Sequence, residues 1–161
     1  EARAAIERAV DIDKKTIGES HADYGITLDV LADVLVAERK PAEAIPVYRK
    51  ALALFEQEYG PSGASLLDPL VGLCDTLSAT GDHAAALAAC ERAVAIAQGG
   101  PGESPGRALF HQAKAKWLAG HDRPQAVAAA KAARAKLAAL PYPAAEVAAI
   151  DEWLAQAARS K

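Results

Sequence analysis

The chain has 161 residues, 41 of them Ala, and a formal net charge of −3. Ala has the highest helix propensity, and with only two Phe, two Trp and four Tyr the core must be built from Ala, Leu, Val and Ile. The mild negative charge argues against nucleic acid or an anionic membrane as partner, and no apolar run approaches the ~18 residues of a membrane-spanning helix.

Residues 1–17 place Ile6, Ala9 and Val10 at helical spacing, and Gly18 ends the helix as a left-handed cap. The opening is charged and amphipathic, unlike a signal peptide. With Glu at position 1 and no Met, the chain is expected to be an excised or processed piece of a longer protein. Ser20-x-x-Asp23 resembles a capping box with Asp in place of Glu. It opens a helix to about Arg39 with Leu28, Leu31, Ala32 and Leu35 on one stripe, broken by Lys40-Pro41. A third helix, about Ala42 to Glu58, turns Ala44, Val47, Tyr48, Ala51, Leu52 and Phe55 inward, with Pro46 in or just after its first turn, and Gly60 stops it.

Residues 64–79 read as the next helix, with Leu66, Leu70, Leu73, Cys74 and Leu77, and Asp68-Pro69 has the chemistry of an alternative start. Gly81-Asp82 turns the chain into a helix over about 83–98. Gly99 to Gly106 is a loop by composition. Helices follow over 106–119 (Leu109, Phe110, Ala113, Trp117) and 123–139 (Ala126, Val127, Ala130, Ala133, Leu137). Pro141-Tyr142-Pro143 breaks the chain before a last helix, 144–158, with Val147, Ile150, Leu154 and Ala157 on one face.

The segments starting at Ala2, Ala44 and Ala86 match one another at a spacing of 42 residues. Each has Ala at its first and eighth places (Ala44 and Ala51, Ala86 and Ala93), a basic residue at the seventh (Arg8, Lys50, Arg92) and an aliphatic at the ninth. A fixed period of this size signals stacked units that cannot bury their apolar faces alone. The fourth copy, at Ala126 and Ala133, comes after 40 residues.

The Gly81-Asp82 turn before Ala86, with Cys90, Ala93 and Val94, and the copy Glu43-Ala44-Ile45 with Tyr48, Ala51 and Leu52, resemble the second half of a tetratricopeptide repeat. First-helix patterns are Leu28, Leu31, Ala32, Leu35, then Leu70, Leu73, Cys74, Leu77, then Phe110, Ala113, Lys114, Trp117. The period and the strings Ile17-Gly18-Glu19-Ser20-His21 and Tyr59-Gly60-Pro61-Ser62-Gly63 resemble the longer repeats of kinesin light chains, which also occur in bacterial signalling proteins such as serine/threonine kinase tails. The resemblance implies an all-α, right-handed superhelix of about eight helices in one domain over 1–161. Its parts would be a half repeat at 1–18, repeats at 22–60, 64–99 and 106–140, and a capping helix at 144–158. Arg39 stands where the inter-helix turn usually has Gly, and Lys114 where a small residue is usual.

The resemblance also implies a ligand groove lined by the first helix of each pair. In this sequence its inner positions are Asp29, Asp33 and Val36, then Val71, Asp75 and Ser78, then His111, Gln112, Ala115 and Leu118. Asp29 and Asp33 share a face one turn apart. Asp68 either joins them or is spent as a helix cap. Acids at these positions would repel the carboxylate ends that some family members grip with Lys, Arg and Asn. The expected partner is therefore a protein or peptide segment that is basic or mixed apolar–basic. The half repeat is expected to leave part of its stripe at Ile6 and Val10 uncovered, a candidate surface for self-association or for contact with a parent domain.

Other constellations read as structural. Cys74 and Cys90 fall on facing helices of one repeat. They are read as two small buried hydrophobes in a reducing compartment, with a disulfide as the alternative, and their spacing lacks the pairing of a metal site. His21 and His83 sit in turns, and His111 alone falls on the groove. The glycine loop lacks Lys-Ser/Thr and follows a helix, so it is not a phosphate loop. The basic end (Lys114, Lys116, Lys131, Arg134, Lys136) has no interleaved aromatics for nucleic acid. No catalytic, metal or cofactor site is assigned. The expected function is a non-catalytic, cytoplasmic protein–protein interaction scaffold within a larger bacterial regulatory protein. The rival reading is a dimerisation or autoregulatory tail with an empty groove.

Overall fold

The computed structural model describes residues 2–98, 104–120, 122–141 and 143–160. Among these lie eight α-helices: α1 (Ala2–Thr16), α2 (Ala22–Ala37), α3 (Pro41–Tyr59), α4 (Leu67–Thr80), α5 (His83–Ala97), α6 (Ser104–Leu118), α7 (Arg123–Ala138) and α8 (Ala144–Arg159). A 3-10 turn, Ala64–Leu66, leads into α4. No strand is present among the described residues, and none of their helices is long and apolar enough to cross a membrane. The glycine loop assigned at Gly99 lies outside the described residues up to position 103.

The helices pack in chain order. The most extensive contacts join α2 to α3, α4 to α5 and α6 to α7, and each hairpin rests on the next. Contacts of α2 with α4, and of α4 with α6, set these three first helices in a row. The periodic alanines explain the spacing. Ala44, Ala51, Ala86, Ala126 and Ala133 are 0% exposed and Ala93 is 1% exposed. A methyl group is the most these crossings admit, so the backbones approach closely and their neighbours fill the space completely. Glycine does the same at two tighter points. A Cβ on Gly72 of α4 would lie 2.5 Å from Tyr48 Cζ, and one on Gly106 of α6 would lie 2.5 Å from Leu137 Cγ.

The periodic basic residue has a role of its own. Lys50 Nζ on α3 donates to Glu19 Oε2 at 2.7 Å, in the loop after α1. Arg92 Nη2 on α5 donates to the Pro61 carbonyl at 2.8 Å, in the loop after α3. Positions 19 and 61 are themselves 42 apart, so each unit reaches back to the loop that precedes it. Arg92 also pairs with Glu56.

Several local expectations change. The N-cap of α2 is His21, whose Nδ1 accepts from the Asp23 amide at 3.2 Å, in place of Ser20. The helix read over 64–79 opens as the 3-10 turn and becomes α4 at Leu67, one residue before the alternative start at Asp68-Pro69; Leu66 is its N-cap, without a side-chain hydrogen bond. α6 starts two residues earlier than its loop composition suggests, at Ser104. Lys114 does not disturb the packing, since Ala113 and Ala115 on either side are the buried small residues and Lys114 turns to the concave face.

Cys74 and Cys90 are not two free thiols. They form a disulfide between α4 and α5, with Cα atoms 5.3 Å apart. Such bonds persist in oxidising surroundings, which removes the ground for reading this pair as reduced. At the far end α8 closes the row. Ile150 is fully buried, and Trp153 meets Phe110 and Trp117 edge-on at centroid distances of 5.9 and 5.6 Å.

The turn between α2 and α3 carries a local cost. Arg39 has φ +62°, and the Lys40 amide donates back to the Leu35 carbonyl at 2.9 Å. One period later Gly81, φ +89°, occupies the same place, and the Asp82 amide donates to the Leu77 carbonyl at 3.0 Å. A side chain in the left-handed region costs roughly 1–2 kcal/mol that Gly escapes. Arg39→Gly should therefore raise the urea unfolding free energy by about 1 kcal/mol, and Gly81→Arg should lower it by a similar amount.

Candidate functional site

One face of α2 buries Leu28, Ala32 and Leu35. The opposite stripe, at three- and four-residue intervals, is Ile26, Asp29, Val30, Asp33 and Val36. This stripe is left open: Ile26 is 52%, Val30 44% and Val36 39% exposed. It forms one wall of a concavity of about 500 Å³. Tyr48 of α3, Asp68, Val71, Gly72, Asp75 and Thr76 of α4, and Arg107 of α6 complete the lining. Three hydrophobic side chains and two acids thus alternate along one helix facing solvent.

Tyr48 belongs to a second helix, yet its ring lies against Gly72, where α4 has no side chain to exclude it. Its hydroxyl donates to Asp33 Oδ1 at 2.5 Å. Burial, followed by this bond to Asp33, pushes the phenol well above its ordinary range, so it remains a donor. Asp29 is less well served. Its Oδ1 is buried and has no hydrogen-bond partner among the described residues. Burial, with the nearby charges of Asp33 and Asp68, pushes its carboxyl up to about 7. Asp68 is exposed in the first turn of α4 and is not spent as a cap, so its carboxylate lines the concavity.

Asp75 has a different environment. His111 Nδ1 donates to its Oδ1 at 2.8 Å and Lys114 Nζ to its Oδ2 at 3.0 Å, both from α6. Burial raises this carboxyl, but the hydrogen bond and charge of His111, with those of Lys114, outweigh it and hold Asp75 below the usual range. Its charge is already answered within the chain.

The structure brings together Asp29, Asp33, Val36, Val71 and Asp75, with His111 reaching Asp75 from the next helix. Ser78 is placed elsewhere: it is 7% exposed and its Oγ is buried without a partner among the described residues. Gln112 is half-buried and outside the lining. On α1, Ile6 and Val10 are half-covered, and Val10 packs against the core; the open residues there are Ile12, 59% exposed, and Ile17, 40% exposed. Sequence reasoning missed Ile26 and Val30, although Ile26 extends the Asp29–Asp33 stripe by one turn and Val30 lies within it. Tyr48 and Arg107 carry no such local signal, because they enter from other helices. No group of three or more potential metal ligands is gathered among the described residues.

Residues 1–57 match the model of the tetratricopeptide repeat family. No curated protein matches the sequence. Among solved structures, the chain is similar to BtubC (BKLC) from P. vanneervenii, with a TM-score of 0.77 and 23% identity over 88% of this chain. It spans 59% of that protein's length. It is also similar to a putative kinesin light chain of nearly identical TPR-like repeats from Podosopora anserina, with a TM-score of 0.77 and 21% identity over 98% of this chain and 76% of that one. A variant of the latter protein gives a TM-score of 0.79 at the same identity. At these identities the likeness establishes the fold alone: an α-helical solenoid of stacked hairpins, like those of these proteins.

Asp29 makes stability depend on pH. A carboxyl that titrates near 7 in the folded chain and near ~4 when unfolded favours folding below about pH 4 and loses that contribution as pH rises through about 7. The wild type should therefore lose stability relative to Asp29→Asn between about pH 4 and 7, with the difference level on either side. Urea midpoints of the two proteins across pH 4–8.5 measure it.

Proposed function

We propose that this tetratricopeptide-repeat solenoid is a non-catalytic scaffold that seats a segment of a partner protein in the groove of α2, α4 and α6. Repeats of this fold serve protein–protein interaction generally. The observation that carries the narrower reading is the alternation on α2: Ile26, Val30 and Val36 stand open to solvent between Asp29 and Asp33. Open aliphatics on a concave wall gain by burial, at about 25 cal/mol per Å² covered. Carboxylates spaced between them select against acidic neighbours and favour Lys or Arg. The segment is accordingly mixed apolar–basic at the α2 wall.

The scaffold acts within a larger regulatory protein, for which the Ala-rich composition favours a bacterial source. The cytoplasmic compartment expected from the sequence is not carried into this proposal, because the Cys74–Cys90 disulfide argues for oxidising surroundings. A second reading, self-association through α1, has one observation in its favour: Ile12 and Ile17 are exposed at its C-terminal end. It requires concentration-dependent dimers that Ile12→Asp dissolves.

The test uses linear 12-residue peptides selected from a random library on the wild-type protein. Their affinity should fall at least about tenfold on the Asp33→Lys/Asp68→Lys variant. It should be unchanged by Glu58→Lys/Glu91→Lys, which reverses two exposed acids outside the groove. Equal loss in both variants, or in neither, contradicts the groove reading.

A further inference from the structure

The charges in the groove are sorted by helix. On its first wall, Asp29 and Asp33 of α2 face Asp68 of α4, and none of the three has a cation within ion-pair distance among the described residues. On the other wall α6 presents Arg107, His111 and Lys114, at intervals of four and three residues and hence on one helix face. Two of these, His111 and Lys114, are held by Asp75 of the central helix. That pairing cancels the one acid that would otherwise extend the anionic field toward α6. Arg107 is left at the rim. It is exposed, it lines the groove beside Asp68 and Val71, and it also lines the next concavity with Phe110 and Glu146. Among the described residues its guanidinium makes no hydrogen bond or ion pair. The concave surface is therefore dipolar, anionic along α2 and cationic along α6.

We infer that the groove selects a segment carrying both signs: a Lys or Arg for the acids of α2, and a carboxylate side chain for Arg107. The inference rests on the groove being the binding surface and specifies what it reads. Adjacent packed helices lie about 8–10 Å apart, so the walls formed by α2 and α6 are separated by two such steps, roughly 16–20 Å. An extended chain advances about 3.3 Å per residue, so base and acid should stand about five to six residues apart when the segment crosses the helices. A uniformly basic segment would meet Arg107 with like charge, and a uniformly acidic one would meet Asp29, Asp33 and Asp68. Arginine matches a carboxylate in two parallel hydrogen bonds, which gives this contact directional selectivity beyond its charge.

The experiment sequences random 12-residue peptides enriched on the wild type, on Arg107→Glu and on Asp33→Lys/Asp68→Lys, each first checked for wild-type helicity by far-UV circular dichroism. On the wild type, enriched peptides should pair a base with an Asp or Glu five to six positions away. On Arg107→Glu the base should persist while the acid is no longer enriched. The best wild-type peptide should bind that variant about tenfold more weakly, and changing its acid to Lys should restore affinity to Arg107→Glu alone. Peptides that depend on Asp33 and Asp68 but show no acid preference, or that bind Arg107→Glu undiminished, overturn this inference and leave the groove reading standing. Peptides indifferent to all three substituted positions overturn both.

Discussion

The structure depends on how closely its helices approach at the positions held by small side chains. Ala44, Ala51, Ala86, Ala93, Ala126 and Ala133 are each buried to within 1%. They recur at the period of the repeat, so the same crossing is made three times. Each methyl contributes little burial by itself. Its value is to bring two backbones near enough for the flanking Leu, Tyr and Phe side chains to close around the contact at crystal-like density. The order that follows is translational: hairpin upon hairpin, each packed on its neighbours along the chain.

The groove inherits its geometry from that order. Setting α2, α4 and α6 in a row puts Asp29 and Asp33, then Asp68 and Asp75, then Arg107, His111 and Lys114 on successive walls. Tyr48 shows how second helices contribute as well. The missing side chain at Gly72 lets its ring through, and its hydroxyl fixes Asp33. Lys50 and Arg92 hold successive loops from behind, and the Cys74–Cys90 disulfide ties α4 to α5 at the residue next to Asp75.

Much of this was legible in the sequence, because periodicity multiplies a weak local signal. The buried alanines, the helix order and the helix ends at Gly18 and Gly60, 42 residues apart, all follow from residues repeated at fixed spacing. Arg39 was visible as a departure for the same reason. What stayed illegible depends on contacts that no local pattern encodes. The neutralisation of Asp75 needs His111 and Lys114, 36 and 39 residues away. The choice between thiols and a disulfide turns on a Cα separation of 5.3 Å, which a spacing of 16 residues does not fix. The cap at His21 was misplaced because several polar residues compete for that helix end, and the passage from 3-10 turn to α4 at Leu67 has no side-chain cap to mark it.

The central claim, that methyl-sized contacts at periodic positions hold the row together, is tested most directly by paired substitutions two residues apart on one helix. Ala51→Leu and Ala93→Leu enlarge buried crossings, whereas Ala53→Leu and Ala95→Leu enlarge exposed positions of the same two helices. The account predicts that urea unfolding free energies fall by about 1–3 kcal/mol for the first pair and stay within about 0.5 kcal/mol of wild type for the second. Equal effects in the two pairs, or no loss at Ala51 and Ala93, would contradict it.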